Sequence, residues 1–309
     1  MRIGIIDFGT NTLRLDIFET EEKEYRSIYD FAIYSRIVEN TVGTSLSQDG
    51  IEHIIQAIEE HQQACRHYRC DRVECFSTAS LRYIDNAKDV LEQVEFRTGI
   101  KILMISGDEE AKYDYLALRS VVDAPCGIGC DLGGGSLQVF TFDENGPIKS
   151  ASYPLGSSRT AKRFSKCAVP TMEEIAAIKS CVADSLSETG FENEGKTLFA
   201  MGGTAKAVKS LYSAAIEKSD KLSVRSINIM LKLLSEAPEE AVELISEIAP
   251  KRTHTLVPGL AVLAGLMEKA GCDEIKIYSV GVREGFLESI LNDDSKPEPS
   301  LLDLILGSI

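Results

Sequence analysis

The sequence predicts an α/β protein of two similar domains, each with a mixed sheet, that face each other across a cleft. A length of 309 residues with 44% hydrophobic residues is sufficient for two cores, at roughly 100–200 residues per domain. Strand-like and helix-like segments alternate along the chain. A strand that ends in an aspartate before a glycine-bearing turn occurs twice, at Asp7 and Asp131, which lie 131 − 7 = 124 residues apart. This repeat predicts domains at 1–124 and 125–309, and it leaves open whether the last helix packs back on the first domain.

In the first half, a strand over residues 3–6 precedes a polar turn at 7–12 and a returning strand over 13–20. Ser47 is placed to cap a helix over 48–67, in which isoleucines recur at helical spacing. The remaining predicted elements of this half are a strand that runs into a turn over 73–80, a helix over 86–97 before a glycine, a strand over 101–106, and a helix over 107–119.

The second half repeats the alternation, starting with a strand, a glycine-bearing turn and a returning strand over 127–140. The segments that follow are a helix over 171–188, a strand over 197–203, helices over 205–217, 226–235 and 257–270, a strand over 274–280, and a helix from 283. Residues 292–300 are polar and contain proline, so the apolar segment 301–309 is either a docked terminal helix or a frayed tail.

The charge of the chain limits its partners. Lys and Arg total 33 against 48 Asp and Glu, which gives a net charge of −15 and a pI near 4.8. This argues against nucleic acid and anionic membranes as partners, so a polyanionic substrate would need a local basic pocket. No apolar run approaches the ~18 residues of a membrane span, and the N-terminus does not resemble a signal peptide. We therefore expect a cytoplasmic protein whose eight cysteines are free thiols.

Two glycine-bearing turns are candidates for phosphate binding. They are Gly9-Thr10-Asn11-Thr12 in the first half and Gly133-Gly134-Gly135-Ser136 in the second. Glycines let backbone N–H groups approach an anion closely, although one such loop alone is often only a tight hairpin turn. Two loops at equivalent places favour the phosphate-binding interpretation.

Acidic and basic residues lie near these turns. Asp7 and Asp131 are candidates for holding Mg2+ or Mn2+, with an Asx turn as the alternative. Gly202-Gly203-Thr204 ends a strand before a helix that carries Lys206 and Lys209, so it could offer both N–H donors and positive charge to a phosphate chain. The alternative there is an ordinary strand-to-helix turn with a solvated basic face.

Seven short motifs occur in order over about residues 1–290. They are Asp7-x-Gly9-Thr10-Asn11-Thr12 with Arg14, Ser77-Thr78-Ala79-Ser80-Leu81-Arg82 with Asn86, Ser106-Gly107-Asp108-Glu109-Glu110-Ala111, Asp131-Leu132-Gly133-Gly134-Gly135-Ser136, Gly202-Gly203-Thr204, Val257-Pro258-Gly259, and Gly281-Val282-Arg283-Glu284-Gly285. In this order and spacing they resemble the exopolyphosphatase/guanosine pentaphosphate phosphohydrolase family. The resemblance implies two ribonuclease-H-like domains of the actin/hexokinase/Hsp70 type with phosphohydrolase chemistry in the cleft, as in the short, two-domain members.

The resemblance also implies roles for two residues. Glu110 matches the catalytic glutamate of the family, and a carboxylate in the first turn of a cleft-lining helix can accept a proton from water or orient the water. Arg82 would bind two phosphate oxygens at once. From the residues alone, Glu110 is an ordinary first-turn residue and Arg82 would form a surface salt bridge.

The chain departs from the family pattern at Gln138. The family usually has Thr-Glu after Gly-Gly-Gly-Ser, whereas this chain has Leu137 and Gln138. A glutamine can donate a hydrogen bond, but it cannot act as a base and is a poorer Mg2+ ligand. The substitution therefore puts turnover in doubt more than the fold or phosphate binding.

We expect Mg2+-dependent release of terminal phosphate from inorganic polyphosphate, with pppGpp as an alternative or additional substrate. The predicted basic patch consists of Arg14, Arg36, Arg159, Arg163, Lys206 and Lys209. Two alternatives remain, namely a catalytically weak protein that binds guanosine phosphates or polyphosphate and, less favoured, a small-molecule kinase of the same fold. The sequence leaves the oligomeric state open, with a homodimer among the alternatives.

Overall fold

The computed structural model describes residues 1–9, 12–22, 24–37, 39–78, 81, 84–191, 196–215 and 221–292. The strands, numbered in chain order, are β1 (Arg2–Phe8), β2 (Thr12–Glu21), β3 (Glu24–Tyr34), β4 (Thr41–Val42), β5 (Ser45–Leu46), β6 (Arg72–Ser77), β7 (Ile102–Met104), β8 (Gly127–Leu132), β9 (Leu137–Asp143), β10 (Gly146–Tyr153), β11 (Thr197–Met201), β12 (Lys221–Ser223) and β13 (Glu274–Ile277). The helices are α1 (Gln48–His67), α2 (Ala87–Thr98), α3 (Gly107–Arg119), α4 (Ser157–Phe164), α5 (Met172–Ser187), α6 (Gly202–Ala215), α7 (Val224–Glu236), α8 (Pro238–Ile248), α9 (Leu256–Ala270) and α10 (Val282–Leu291), with a 3-10 turn at Pro250–Arg252.

Each half of the chain forms a mixed sheet, and the two sheets have matching topology. The first has the order β3-β2-β1-β6-β7 and the second the order β10-β9-β8-β11-β13-β12. In both, a meander of three antiparallel strands continues into parallel strands on its other side. The predicted α/β class with a mixed sheet in each domain is therefore confirmed. The register repeats as well, because Asp7 pairs with Arg14 in the first sheet as Asp131 pairs with Gln138 in the second.

Helix α1 forms where the sequence predicts it. The Ser47 side chain accepts a hydrogen bond from the Gly50 N–H, which caps the helix. Its regularly spaced isoleucines are buried in the first core together with β-strand residues such as Leu13 and Leu15. The apolar spacing and the cap thus fix both the start and the buried face of this helix.

Among the described elements, helices α3 and α10 connect the halves. Helix α3 belongs to the first half, yet Ala111, Tyr115 and Leu118 pack against Phe140 and Phe142 of the second sheet. A cut at residue 124 would separate α3 from the sheet that it covers.

Helix α10 makes the reciprocal contact. Val282 and Phe286 pack against Ile3 and Ile5 of β1 in the first sheet. The backbones of α3 and α10 also approach closely, because a Cβ at Gly285 would lie 1.7 Å from the Tyr113 carbonyl oxygen. Any residue larger than glycine at position 285 would therefore force the two helices apart.

Several elements are absent from the sequence prediction. β3, β10, β12, α4 and α8 were not predicted, since β3 is a mostly exposed edge strand and α4 buries only Ser157 and Thr160. The helix predicted from 205 begins at Gly202, so the glycine turn is its first turn. The strand predicted to residue 106 ends at Met104 because Ser106 caps α3. Segment 301–309, for which the sequence predicts either a docked terminal helix or a frayed tail, lies outside the described residues. None of the described helices has the length and apolar character to cross a membrane.

Replacing Gly285 by alanine should destabilise the protein by about 3 kcal/mol, at the upper end of overpacking costs, because the new methyl group meets backbone rather than a flexible side chain. Gly107→Ala is the matched control in α3, where the nearest atom to the added Cβ would be the Ser152 Cβ at 3.7 Å. Chemical denaturation of both variants measures the effect. Equal stability of the two would contradict the close helix contact.

Candidate functional site

A cleft of about 390 Å³ lies between the two domains. Its wall includes the carboxyl ends of β1 and β8, the start of α3 and α6, and the start of α10. Strand ends and helix starts meet there because the parallel strands of each sheet run toward the cleft. The cleft is therefore where both halves of the repeat contribute to one site.

The two glycine turns close in the same way. The Gly9 N–H donates to the Thr12 carbonyl oxygen over 3.0 Å, and the Gly133 N–H donates to the Ser136 carbonyl oxygen over 3.1 Å. Gly9, Thr12 and residues 133–136 line the cleft. The predicted phosphate-binding residues Thr10 and Asn11 fall outside the described residues.

Helix α4 supports the second turn. The N–H groups of Ser157 and Ser158 donate to the Gly133 and Gly134 carbonyl oxygens over 2.9 Å each. No side chain fits at Gly156, where a Cβ would lie 2.3 Å from the Ser136 nitrogen. The turn is thus held against the start of a helix that the sequence prediction missed.

Asp7 and Asp131 lie at the ends of the central strands and line the cleft. Burial raises the pKa of both carboxyls, and the charge of Asp7 contributes to raising the pKa of Asp131 to about 6. A Cβ at Gly202 would lie 2.1 Å from the Asp131 Oδ1, so glycine leaves the room that this carboxylate occupies.

These two carboxylates fit a partial set of Mg2+ ligands. Within the described part of the chain, no group of three or more His, Cys, Asp or Glu side chains could hold a metal ion. Mg2+ typically uses one or two protein carboxylates and completes its shell with water and substrate phosphates. Asp7 and Asp131 are hard oxygen donors whose negative charges repel each other, so they fit this mode of Mg2+ binding.

Five basic side chains among the described residues line the cleft. They are Arg14, Lys206, Lys251, Arg252 and Arg283. Burial lowers the pKa of Lys206 and of Arg252. The Lys206 Nζ donates to the Ser279 carbonyl oxygen over 3.0 Å, which holds the ammonium group at the wall. A local basic surface therefore exists inside a strongly acidic chain.

Sequence reasoning missed Lys251 and Arg252, and it named Arg283 only as part of a motif. The available signal was a basic pair directly after Pro250, near the Val257-Pro258-Gly259 motif. Arg252 is held in place by its Nη1, which donates to the Thr204 Oγ1 over 3.1 Å. Thr204 is itself buried, so its hydroxyl orients Arg252 from behind the wall.

Four of the predicted basic residues do not line the cleft in the described part of the chain. They are Lys209, Arg36, Arg159 and Arg163. Lys209 lies on the same helix as Lys206, but it is about one turn further from the start of α6, which is the part of the helix at the cleft. Arg82 falls outside the described residues.

Glu110 lies in the first turn of α3, is only 7% exposed and lines the cleft. Its neighbour Glu109 is occupied in the cap, where its Oε2 accepts from the Ser106 N–H over 2.7 Å and its own N–H donates to the Ser106 Oγ. The cap therefore separates two adjacent glutamates into an exposed structural residue and a buried residue at the cleft.

Asp114 follows Glu110 by one helical turn and is fully buried. Among the described residues, neither of its carboxyl oxygens has a hydrogen-bond partner. Burial and the charges of Asp131 and Glu110 raise its pKa well above the ordinary range. Sequence reasoning did not single out this residue, because an aspartate at that position looks like a solvated helix residue.

Gln138 is 3% exposed and pairs across the strands with Asp131. Its Nε2 donates to the Ser136 Oγ over 2.9 Å and to the Ser152 Oγ over 3.2 Å. The amide thereby orders the side chain that ends the glycine turn. In the repeat, Gln138 corresponds to Arg14 of the first sheet.

Comparisons with known proteins cover nearly the whole chain. The Ppx/GppA phosphatase family matches residues 31–294. Exopolyphosphatase 1 of Mycobacterium leprae is 24% identical over 96% of this chain and 91% of its own length. Two crystal structures share the fold: the Ppx/GppA family member of Aquifex aeolicus (TM-score 0.84, 23% identity, 96% of this chain and 99% of that one) and an exopolyphosphatase from Cytophaga hutchinsonii (TM-score 0.81, 17% identity, 94% and 98%).

Replacing Asp114 by asparagine should make stability less sensitive to pH. A carboxyl whose pKa is raised by folding stabilises the folded protein at low pH, and this contribution is lost as the pH rises. The Tm of Asp114→Asn relative to the parent should therefore increase between about pH 5 and about pH 8 in the presence of a chelator. Asp184→Asn, at an exposed site on α5, is the control. The interpretation fails if both variants show the same offset at every pH.

Proposed function

Because the chain belongs to the Ppx/GppA phosphatase family, we propose that it is a phosphohydrolase that releases terminal phosphate from inorganic polyphosphate. One observation carries the proposal: in the part of the chain that the structure describes, a buried glutamate, two strand-end aspartates, two glycine turns and five basic side chains line one cleft. The name of the Mycobacterium leprae relative, exopolyphosphatase 1, supports the same substrate class.

Binding of the substrate falls to the positive side chains and the glycine turns. Lys206 and Arg252 are already held by hydrogen bonds to protein groups, so these side chains lose little conformational entropy when they bind phosphate oxygens. The turn at 133–136 offers backbone N–H groups without Cβ obstruction. A divalent cation held by Asp7 and Asp131 would supply further positive charge at the phosphoryl group.

Hydrolysis of the terminal group falls to Glu110. Its carboxylate orients a water molecule, and as the water oxygen bonds to phosphorus, the carboxylate takes the proton. The bond from phosphorus to the bridging oxygen breaks, and the electron pair leaves with the shortened chain. The surrounding positive side chains stabilise the charge that develops on the phosphoryl and bridging oxygens.

The substrate pppGpp is a second candidate, favoured by Tyr34. This aromatic ring lies at the cleft, is 56% exposed, and has the Lys251 Nζ 5.9 Å from its centroid. An exposed ring at the entrance of a phosphate cleft can stack on a purine base. Inorganic polyphosphate would not use it.

A binding protein with weak turnover is a third candidate, favoured by Gln138. Its amide occupies a place where the family usually has a carboxylate, and it hydrogen-bonds protein hydroxyls instead. Such a site would keep its phosphate contacts and lose part of its capacity to bind a cation.

Phosphate release from long-chain polyphosphate, tripolyphosphate and pppGpp, with Mg2+ or Mn2+ titrated, tests the proposal. We expect release that requires the cation and stops with a chelator. Preference for pppGpp would identify the second candidate. Calorimetric binding of guanosine phosphates without any release would identify the third.

Glu110→Gln should lower the rate of phosphate release by about 100-fold or more while leaving polyphosphate affinity within about twofold, because it removes the proton acceptor and keeps the shape. Glu109→Gln is the matched control: it changes the adjacent residue equally and retains a capping side chain. Steady-state kinetics and calorimetry measure both. Comparable rates for the two variants would remove Glu110 from the reaction.

Lys206→Met should raise the KM for polyphosphate about tenfold, and Lys209→Met should change it less than about twofold, since only Lys206 lines the cleft. Both substitutions remove one positive charge from α6, so a general effect of net charge would move them equally. The KM of each variant at low and high salt decides between a local contact and that general effect.

A further inference from the structure

Two arginines that line the cleft lie beside carboxylates of the first sheet. The Arg14 Nε donates to the Asp30 Oδ1 over 2.7 Å, and the Arg14 Nη2 contacts the Asp30 Oδ2. The Arg283 Nη1 lies 3.6 Å from the Asp16 Oδ2 and 3.8 Å from the Asp30 Oδ1. Arg14 therefore binds the Asp30 carboxylate with both arms of its guanidinium, which is the geometry with which an arginine binds a phosphate.

The strand register brings the two carboxylates together. Asp16 on β2 pairs directly with Asp30 on β3, and two residues away Arg14 pairs with Ala32. Like charges directly opposite each other are unfavourable in a sheet, so this pair depends on the arginines beside it. The small Ala32 leaves Arg14 accessible from the cleft, which both residues line.

The two acidic residues differ in exposure. Asp16 and Arg283 are buried, with side chains only 5% and 10% exposed, and their pairing belongs to the packed interior. The Asp30 and Arg14 side chains are 40% and 38% exposed. Burial acts against ionisation of Asp30, but the hydrogen bond and charge of Arg14 lower its pKa. Asp30 is therefore a charged, accessible partner that an incoming anion can displace.

We propose that Asp30 is a specificity-determining residue that competes with the substrate's phosphate groups for the Arg14 guanidinium. The proposal rests on the proposed function of the cleft. When an anion contacts Arg14 alone, Arg14 loses its two-armed contact with Asp30 and gains a similar contact with the anion. A condensed phosphate that also reaches Lys206 and Arg252 gains further contacts, so Asp30 selects against single phosphates.

Calorimetric titration of tripolyphosphate and orthophosphate into the full chain at low salt tests the competition. Asp30→Asn should bind tripolyphosphate about fivefold more tightly than the parent, and orthophosphate binding should become measurable, because an exposed ion pair no longer has to be broken. In the enzymatic assay, KM should fall with kcat unchanged. Asp30→Thr, which suits a strand, provides a second variant if the first folds poorly.

Glu52→Gln is the matched control. Glu52 also accepts from both arms of an arginine, Arg97, with side chains 40% and 45% exposed, and it lies on α1 away from the cleft lining. The gain from Asp30→Asn should also vanish in an Arg14→Ala background, since the competition needs the guanidinium.

The measurements distinguish a failure of the competition at Arg14 from a failure of the proposed function. Asp30 variants that bind tripolyphosphate no better than Glu52→Gln, or a gain that persists without Arg14, would overturn the competition. Failure of the parent and all variants to bind tripolyphosphate or release phosphate would instead overturn the proposed function.

Discussion

The site depends on two carboxylates, Asp7 and Asp131, held near each other where protein atoms replace most of the water. Their charges disfavour each other, and burial disfavours the charge on each. Positive groups close by reduce this cost, as the charges of Lys206 and Arg283 do for Asp131. A chain with a net charge of −15 thus concentrates part of its scarce positive charge around one pair of acidic strand ends.

The repeat explains why both halves contribute similar parts and why they differ in detail. Asp7 and Asp131 are equivalent, and so are the turns that follow them. Their cross-strand partners have diverged to Arg14 in one sheet and Gln138 in the other. One partner reaches an acidic residue on the next strand, and the other orders a serine in its own turn. Matching backbones therefore carry different side chains, and so different chemistry, on the two sides of the cleft.

The sequence predicted the central strands of both sheets, α1 and the glycine turns, but not the edge strands β3, β10 and β12, because the predicted elements have local signals such as the Ser47 cap and the 124-residue repeat. It could not predict that Lys251 and Arg252 reach the cleft, since that follows from how the 3-10 turn packs against α6. It also missed the burial of Asp114, which depends on a neighbouring sheet rather than on helix periodicity. Long-range packing decided what local patterns left open.

The reciprocal packing of α3 and α10 has a consequence for synthesis. During translation β1 emerges first, while the helix that covers Ile3 and Ile5 is encoded almost three hundred residues later. The first sheet therefore leaves the ribosome with part of one face uncovered, and it stays so until α10 has been made. The first domain therefore cannot complete its packing before α10 is available, and its uncovered apolar face is open to non-native contacts until then.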